Sequence, residues 1–526
     1  MFPRLKTIAS GGKTYHYLQI VESRKVNGKV RQKVLHNVGR IDNLSEEHIN
    51  GMIESLARFT DTLIVLRKDG NDIKKHWDRE WAPVLVFRRL WEEAGLDDII
   101  ARRLKGRNYQ FDMEAAVFLL AYQRLMNPGS DLRGSKWLHD VYYERFQSLQ
   151  LQHLYRAAEF LSREKEEIEA RLFEVGRDIF SYELSLVFFD TTSLYFEGEG
   201  PEGLAAYGKS KDHRSDRTQV VVAVVIDKEG NPIFCETWPG NTTDVTTVER
   251  VARRMRTQFG ITDVVLVCDR GMMSNDNVAE LESNRMRYII GERLRRRKEV
   301  RLRVLADTGE YAKVADNLEV KEVVVEGRRY VACHNPEQAE KDRLTRDAIL
   351  ESLEEKLRGG QAKSLIANRG YRKYLKMDRG AVRVAPEKVE EDALYDGKFV
   401  LRTNTDLPAD EVARQYKRLW QIERHFRSLK DILEARPIYH RKAANVKGHI
   451  FGGFLSLFLK VRLQKKLDAR GDKFPWDDMM ADLRRVKATK IELKGRQFIV
   501  RDEFTGSAGD VFRAAGLQPP PLMQEV

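Results

Sequence analysis

Apolar and polar positions alternate with period two over Thr14–Glu22 and again over Lys29–Val38, and Val26-Asn-Gly-Lys between them is a turn signal. This pattern predicts a β-hairpin in a region 1–44. Residues 45–180 lack strand patterns over most of their length. Ser45-Glu-Glu opens a helix, Trp81–Trp91, Met113–Arg124 and Leu154–Phe173 carry helical apolar spacing, and Asn127-Pro-Gly-Ser-Asp is a break. A helical domain that packs its own core is expected there.

From residue 184 the period changes. Leu184-Ser-Leu-Val-Phe-Phe-Asp190 reads as a buried strand ending in Asp, Thr218–Ile226 as a long apolar strand, and Ile233–Trp238 as its return. Thr243–Phe259 is amphipathic, Asp263-Val-Val-Leu-Val-Cys-Asp269 is a second buried strand ending in Asp, Ser274 caps a helix to Asn284, and Met286–Ile290 is a fifth strand. The order β-β-β-α-β-α-β predicts an α/β unit, a mixed sheet covered by helices. Residues 298–400 break this rhythm with β-rich segments around a charged helix at Arg346–Arg358, as an insertion would. Pro408 then starts a long helix that Pro437 ends, and a further apolar helix covers about 446–467. The core is therefore expected at 181–297 and 401–470, with a small mixed tail at 471–526.

Composition narrows the class. Hydrophobic residues make up 42% of the 526 and aromatics 9%, as in a folded globular chain. Lys and Arg number 92 against 80 acids, a net +12, so a polyanionic partner fits. Residues 1–40 hold nine Lys/Arg and the single acid Glu22. Cys235, Cys268 and Cys333 lie too far apart in sequence for a zinc-ligand spacing or a disulfide framework. The longest apolar run, Ile450–Leu459, is too short to span a bilayer, and Met1-Phe-Pro-Arg lacks the apolar stretch of a secretory signal. A soluble cytoplasmic protein is expected.

Candidate chemistry follows from where the acids fall. Asp190 and Asp269 each end an apolar strand, where rigid backbone holds a carboxylate at the edge of a dry sheet. Two such carboxylates on neighbouring strands repel unless a cation sits between them, and a hard divalent ion such as Mg²⁺ takes oxygen ligands. On the helix expected over 408–436, Tyr416, Glu423 and Lys430 are spaced seven apart and share one face with Trp420 and Arg427. Residues 411–450 carry ten Lys/Arg and four acids, a carboxylate in a basic field that suits metal plus phosphate.

Taken together, Phe189-Asp190-Thr-Thr-Ser, Trp238-Pro-Gly-Asn-Thr-Thr-Asp244, Cys268-Asp269-Arg-Gly-Met-Met and Tyr416-Lys-Arg-Leu-Trp-Gln-Ile-Glu423-Arg-His-Phe-Arg-Ser-Leu-Lys430 resemble an insertion-sequence transposase of the prokaryotic DDE class. The resemblance implies a ribonuclease-H-like core interrupted by a β-rich insertion before the catalytic Glu. It implies Asp190, Asp269 and Glu423 as catalytic residues holding two Mg²⁺ or Mn²⁺ ions. It implies double-stranded DNA as partner, both the element's terminal inverted repeats and the target, with a homodimer assembled on that DNA. The family signature places Tyr, Arg, Glu and Lys on the helix. Tyr416, Glu423 and Lys430 match, position 419 is Leu, and Arg418 and Arg427 are the neighbouring cations. Tyr416, Arg418, Arg427 and Lys430 are expected to contact DNA, aided by the basic hairpin and the helical domain. No Walker loop is present, so no nucleotide cofactor is expected. Two alternatives stay open: a DNA-binding protein derived from a transposase that has lost catalysis, and a stand-alone nuclease of the same fold.

Overall fold

The structure is a computed structural model. It describes every residue except 1, 27–28, 58–72, 181–185, 261–264, 270–274, 284, 296–298, 360–364, 366–367, 379–380 and 494. The chain divides into two compact units, Met1–Lys75 with Ile491–Gln497, and His76–Lys490 with Phe498–Val526.

The first unit begins with three antiparallel strands, β1 (Phe2–Ser10), β2 (Lys13–Val26) and β3 (Lys29–Arg40), followed by helix α1 (Glu46–Ala57). The expected hairpin is thus a three-stranded sheet. Its first strand escapes sequence reading because Pro3, Arg4 and Lys6 interrupt the alternation. Gly11 and Gly12, at φ +60° and +75°, supply the left-handed turn that joins β1 to β2. Asn27 and Gly28 of the expected second turn lie outside the described residues.

Strand β4 (Ile73–Glu80) leads into the second unit, within a stretch for which helices alone were expected. Five of its eight residues are Lys, His, Asp or Arg, so it carries no apolar period. Helices α2 (Ala82–Glu93), α3 (Leu96–Leu104), α4 (Met113–Met126), α5 (Asp131–Trp137) and α6 (Leu151–Phe180) then build the helical layer. Asp112 caps α4 by accepting the Ala115 N–H, and Ser130 caps α5.

The central sheet is formed by β5 (Leu186–Tyr195), β6 (Gln219–Asp227), β7 (Pro232–Pro239), β8 (Val265–Cys268) and β9 (Arg287–Gly291), with α7 (Asp244–Phe259) and α8 (Asn275–Ser283) between the last three. In space the order is β7-β6-β5-β8-β9, with β5, β6 and β7 antiparallel and β5, β8 and β9 parallel. This mixed topology is the ribonuclease-H-like arrangement. Every residue of β6 is buried, as a strand covered on both faces should be. A buried ion cluster ties the layers together. Arg254 of α7 binds Glu236 of β7 and Glu169 of α6, and Glu169 also accepts the Cys235 N–H at 2.9 Å.

The insertion lengthens this same sheet. Strands β10 (Ala312–Ala315), β11 (Leu318–Val325) and β12 (Arg328–His334) come before helix α9 (Pro336–Arg358), the small hairpin β13 (Leu375–Asp378)–β14 (Ala381–Val384) and helix α10 (Pro386–Ala393). Strand β15 (Lys398–Thr403) then returns beside β9, so the described sheet runs β10-β11-β12-β15-β9-β8-β5-β6-β7. Helix α9 starts ten residues before the expected Arg346, because Asn335 caps it and Pro336 occupies its first turn.

The helix expected over 408–436 is broken. Helix α11 (Ala409–Lys417) stops, Arg418 and Leu419 form a tight turn, α12 (Trp420–Arg427) follows, and Ser428–Ile432 adopts π-helical turns. The Arg418, Leu419, Gln421 and Ile422 N–H groups bond three residues back, at 2.9 to 3.1 Å, in place of four. Helix α13 (Ala443–Arg470) packs against α4, α6 and β7 and forms core along most of its length. Gly448 permits this approach, because a Cβ there would stand 1.8 Å from the Ala158 carbonyl oxygen. Helix α14 (Trp476–Arg485), strands β16 (Lys487–Leu493) and β17 (Arg496–Arg501), helix α15 (Ala508–Ala514) and strand β18 (Met523–Glu525) complete the chain. No helix among the described residues is long and apolar enough to cross a membrane.

Candidate active site at the end of the parallel pairing

The two strand carboxylates are placed by register. Parallel pairing of β5 with β8 ends at Phe189 opposite Cys268. Asp190 and Asp269 are the next residue on each chain, at neighbouring positions of strands that lie about 4.8 Å apart in any sheet. Asp269 leaves β8 and is exposed. Asp190 does not end its strand as expected. β5 runs on to Tyr195, paired with β6 through Tyr195–Gln219, because Thr191-Thr-Ser-Leu-Tyr still suits a strand. Asp190 therefore sits mid-strand, at the point where β8 stops beside it. Cys268, which precedes Asp269 and pairs opposite Phe189, is fully buried. Burial pushes its thiol pKa up, and the charges of Asp269 and Asp190 push it further.

Each carboxylate is held. The Asp190 Oδ1 atom accepts the Thr191 N–H at 2.7 Å and lies 3.5 Å from Lys211 Nζ. Lys211 is fixed in turn, donating to the Thr191 carbonyl at 2.6 Å and to Thr191 Oγ1 at 2.9 Å. Asp269 Oδ1 accepts from Tyr416 Oη at 3.0 Å. The Tyr416 ring stacks near Phe399 of β15, with centroids 6.1 Å apart. Helix α11 packs against β8 and helix α12 against β5. The broken helix thus passes over both acid-bearing strands. Glu423, in the first turn of α12, is exposed and makes no side-chain hydrogen bond or ion pair with the described residues.

The cations distribute unevenly. Lys430 is turned inward, with its Nζ 2.7 Å from Asp212 Oδ1. Arg436 Nε lies 3.2 Å from Asp212 Oδ2, and Lys430 and Asp212 are each only 10% exposed. Burial pushes the Lys430 pKa down despite this partner. Arg418 is half-buried in the break between α11 and α12, Leu419 packs against the core, and Arg427 is exposed. Sequence reading missed Lys211 and Asp212. They lie in the loop Lys209-Ser-Lys-Asp-His-Arg, which reads as solvated charge, and their partners are far away in sequence.

The three acids offer only carboxylate oxygen, which suits hard divalent cations. They do not all come within 4.8 Å of one another, whereas Asp131, His440 and His449 do. A pair of ions set about 3.5–4 Å apart draws ligands over a wider span than a single ion does. The second cluster fits an ion poorly. His449 Nδ1 accepts from buried Arg124 at 2.7 Å, its Nε2 donates to the Ala435 carbonyl at 3.0 Å, and the guanidinium adds positive charge to the site. His425 is likewise a packing residue. Burial pushes its pKa down to about 4, and its Nε2 donates to the Gly230 carbonyl at 2.7 Å.

A ribonuclease-H-like sheet with two aligned strand carboxylates and a third acid on a covering helix defines a class of metal-dependent nucleic-acid enzymes. Comparison with known proteins makes the family specific. The transposase DDE domain model matches residues 181–459, more than half of the chain, and the N-terminal domain model of the IS1634 family transposases matches residues 4–69. The chain belongs to the DDE transposase family. No curated protein matches it. Among solved structures it is similar to the Mos1 transposase paired-end complex with left transposon end, at 12% identity and a TM-score of 0.15, over 35% of this chain and 60% of that one. That likeness is too slight to bear on the site.

Proposed function

We propose that the protein cleaves DNA at the ends of its own element and joins the freed 3′-hydroxyl to target DNA, with Asp190, Asp269 and Glu423 as catalytic residues. The observation that carries this reading is the register of β5 and β8 together with the Tyr416–Asp269 bond. The first sets two carboxylates side by side, and the second draws the helix pair bearing Glu423 over them. Asp190, Asp269 and Glu423 would hold two Mg²⁺ or Mn²⁺ ions, which when bound supply positive charge to the attacking and leaving oxygens of an in-line displacement.

The chain's own residues orient this constellation. Tyr416 fixes one Asp269 oxygen. The Thr191 amide and Lys211 fix Asp190 on a mid-strand backbone that cannot swing. Glu423 keeps its carboxylate exposed and uncommitted. Arg418, Arg427 and Tyr416 would meet DNA phosphates beside these acids. Lys430, assigned the same role by the family signature, would act by anchoring the 212 loop through Asp212 and by lending positive potential at close range. The N-terminal basic strands and the helical layer would bind the terminal repeats, in a cytoplasmic, nucleoid-associated protein that dimerises on DNA.

The test is a joining assay with a pre-cleaved end carrying a free 3′-hydroxyl and a supercoiled target, in Mg²⁺. The wild type is expected to join, and Asp190→Ala, Asp269→Ala and Glu423→Ala to lose joining and cleavage together while keeping end binding. Cleavage without joining in the wild type would instead mark a stand-alone nuclease, and neither reaction a binding protein.

A further inference from the structure

Beyond Glu423 on the same helix, α12 opens onto a cleft of about 520 Å³ between α12, α13 and the segment entering α14. Four cations line it: Arg424 and Arg427 of α12, Lys460 of α13 and Lys473. Phe474 and Trp476 form its apolar wall. Arg424, Arg427 and Lys473 are exposed and make no ion pair with the described residues. Lys460 is the telling member. It is 8% exposed, makes no hydrogen bond or ion pair with the described residues, and its Nζ lies 4.6 Å from the centre of the Trp476 ring. Asp477 is the acid whose charge reaches Lys460, and Arg424 outweighs it.

A chain that gathers four cations, none in an ion pair with the described residues and with Asp477 the acid that acts on Lys460, carries a cost that an arriving anion relieves. Burial followed by the Arg424 charge pushes the Lys460 pKa down to about 8, as expected of an ammonium poorly supplied with partners. An aromatic face under the ammonium holds it in place without neutralising it. Four cations lining one cleft can each meet a separate phosphate of a backbone, whereas one small anion would meet only some of them. Arg424 and Arg427 follow Glu423 by one and four positions, so such a run would pass directly from the acids into the cleft.

We propose that this cleft is a phosphate-backbone site for double-stranded DNA, holding the strand that leaves the acidic triad against Arg427, Arg424, Lys460 and Lys473. The proposal rests on the DNA reading above, and adds where the duplex runs and which residues outside the family signature hold it.

The test uses the full-length protein and a fluorescein-labelled mixed-sequence duplex, with affinity measured by anisotropy between about 50 and 200 mM salt. Each phosphate contact removed should reduce the steepness of log K against log salt by about 0.9. Arg427→Ala and Lys473→Ala remove exposed side chains and are expected to leave folding intact. Each should flatten the slope by about that amount, and the pair by about twice it. Lys460→Met keeps the stem and should do the same without lowering the melting temperature, since it removes a buried charge. Arg253→Ala on α7 removes equal charge elsewhere and should leave the slope as it was. An unchanged slope in the Arg427→Ala/Lys473→Ala pair, or an equal fall with Arg253→Ala, overturns the cleft. Cleavage by the Asp190→Ala variant tests the catalytic reading separately. If that variant still cuts DNA while the cleft variants flatten the slope, the catalytic assignment fails and the cleft stands.

Discussion

The hydroxyl of Tyr416 donates to Asp269 Oδ1 at 3.0 Å across 147 residues of sequence, and so ties the helix pair to the end of β8. Beyond the phosphate contact proposed for it, Tyr416 thus has a direct partner among the acids. Its phenol sets the rotamer of a carboxylate at the proposed site, as outer-shell partners of metal ligands do.

Tyr416→Phe should therefore separate metal use from folding. The loss of one hydrogen bond should cost no more than about 1 kcal/mol of stability. The divalent-ion concentration needed for half-maximal cleavage should rise roughly tenfold or more, since loss of an outer-shell partner typically weakens metal affinity by 10–100-fold. A titration of cleavage against Mn²⁺ decides it, and an unchanged midpoint would confine Tyr416 to packing.

Asp212→Asn tests what holds the signature lysine. Lys430 and Arg436 would be left with no carboxylate between them in a site only about one-tenth exposed at Lys430. Breaking a buried ion pair from one side costs about 3–5 kcal/mol. Urea unfolding of Asp212→Asn should lose stability in that range, and Lys430→Met in the same background should recover part of it. A loss under about 1 kcal/mol, the range of exposed pairs, would place Lys430 in solvent.

Lys460 makes stability depend on pH with a definite sign. Its folded pKa is about 8, against 10.5 for an ordinary lysine. Between those values the unfolded chain binds more protons, so the group adds stability as pH rises through that window, by up to about 3 kcal/mol. Below about pH 8 it carries its charge in both states and the cost of burying that charge is present in full. Relative to Lys460→Met, the wild type should gain unfolding free energy from pH 8 to 10. Parallel curves would mean that the ammonium reaches water.

How much of this was legible depended on whether a signal was local. Apolar runs ending at Asp190 and Asp269 are local, and they placed both carboxylates on neighbouring strands before any fold was known. That β5 continues past Asp190 depends on its partner β6, which the run itself does not encode. The seven-residue spacing of Tyr416, Glu423 and Lys430 gave one helical face only for an unbroken helix. No Pro or Gly marks the break at Arg418–Leu419, which arises where Leu419 turns into the core. Lys430 and Asp212 are 218 residues apart, so their pairing exists only in the tertiary fold. The insertion's strands, and their place at one edge of the core sheet after the Met286–Ile290 strand, were visible as a change of rhythm, whereas their order beyond β9, with β15 returning next to it, was not.

The most direct measurement is to find where the ion sits. Fe²⁺ substituted for Mg²⁺ in the full-length protein, with ascorbate and peroxide, cuts the polypeptide beside the bound metal, and the cuts can be mapped by mass spectrometry. The account predicts cuts clustered around Asp190, Asp269 and Glu423, quenched by excess Mg²⁺ and lost in Asp190→Ala and Asp269→Ala. Cuts clustered instead around Asp131, His440 and His449, persisting in those variants, would contradict it.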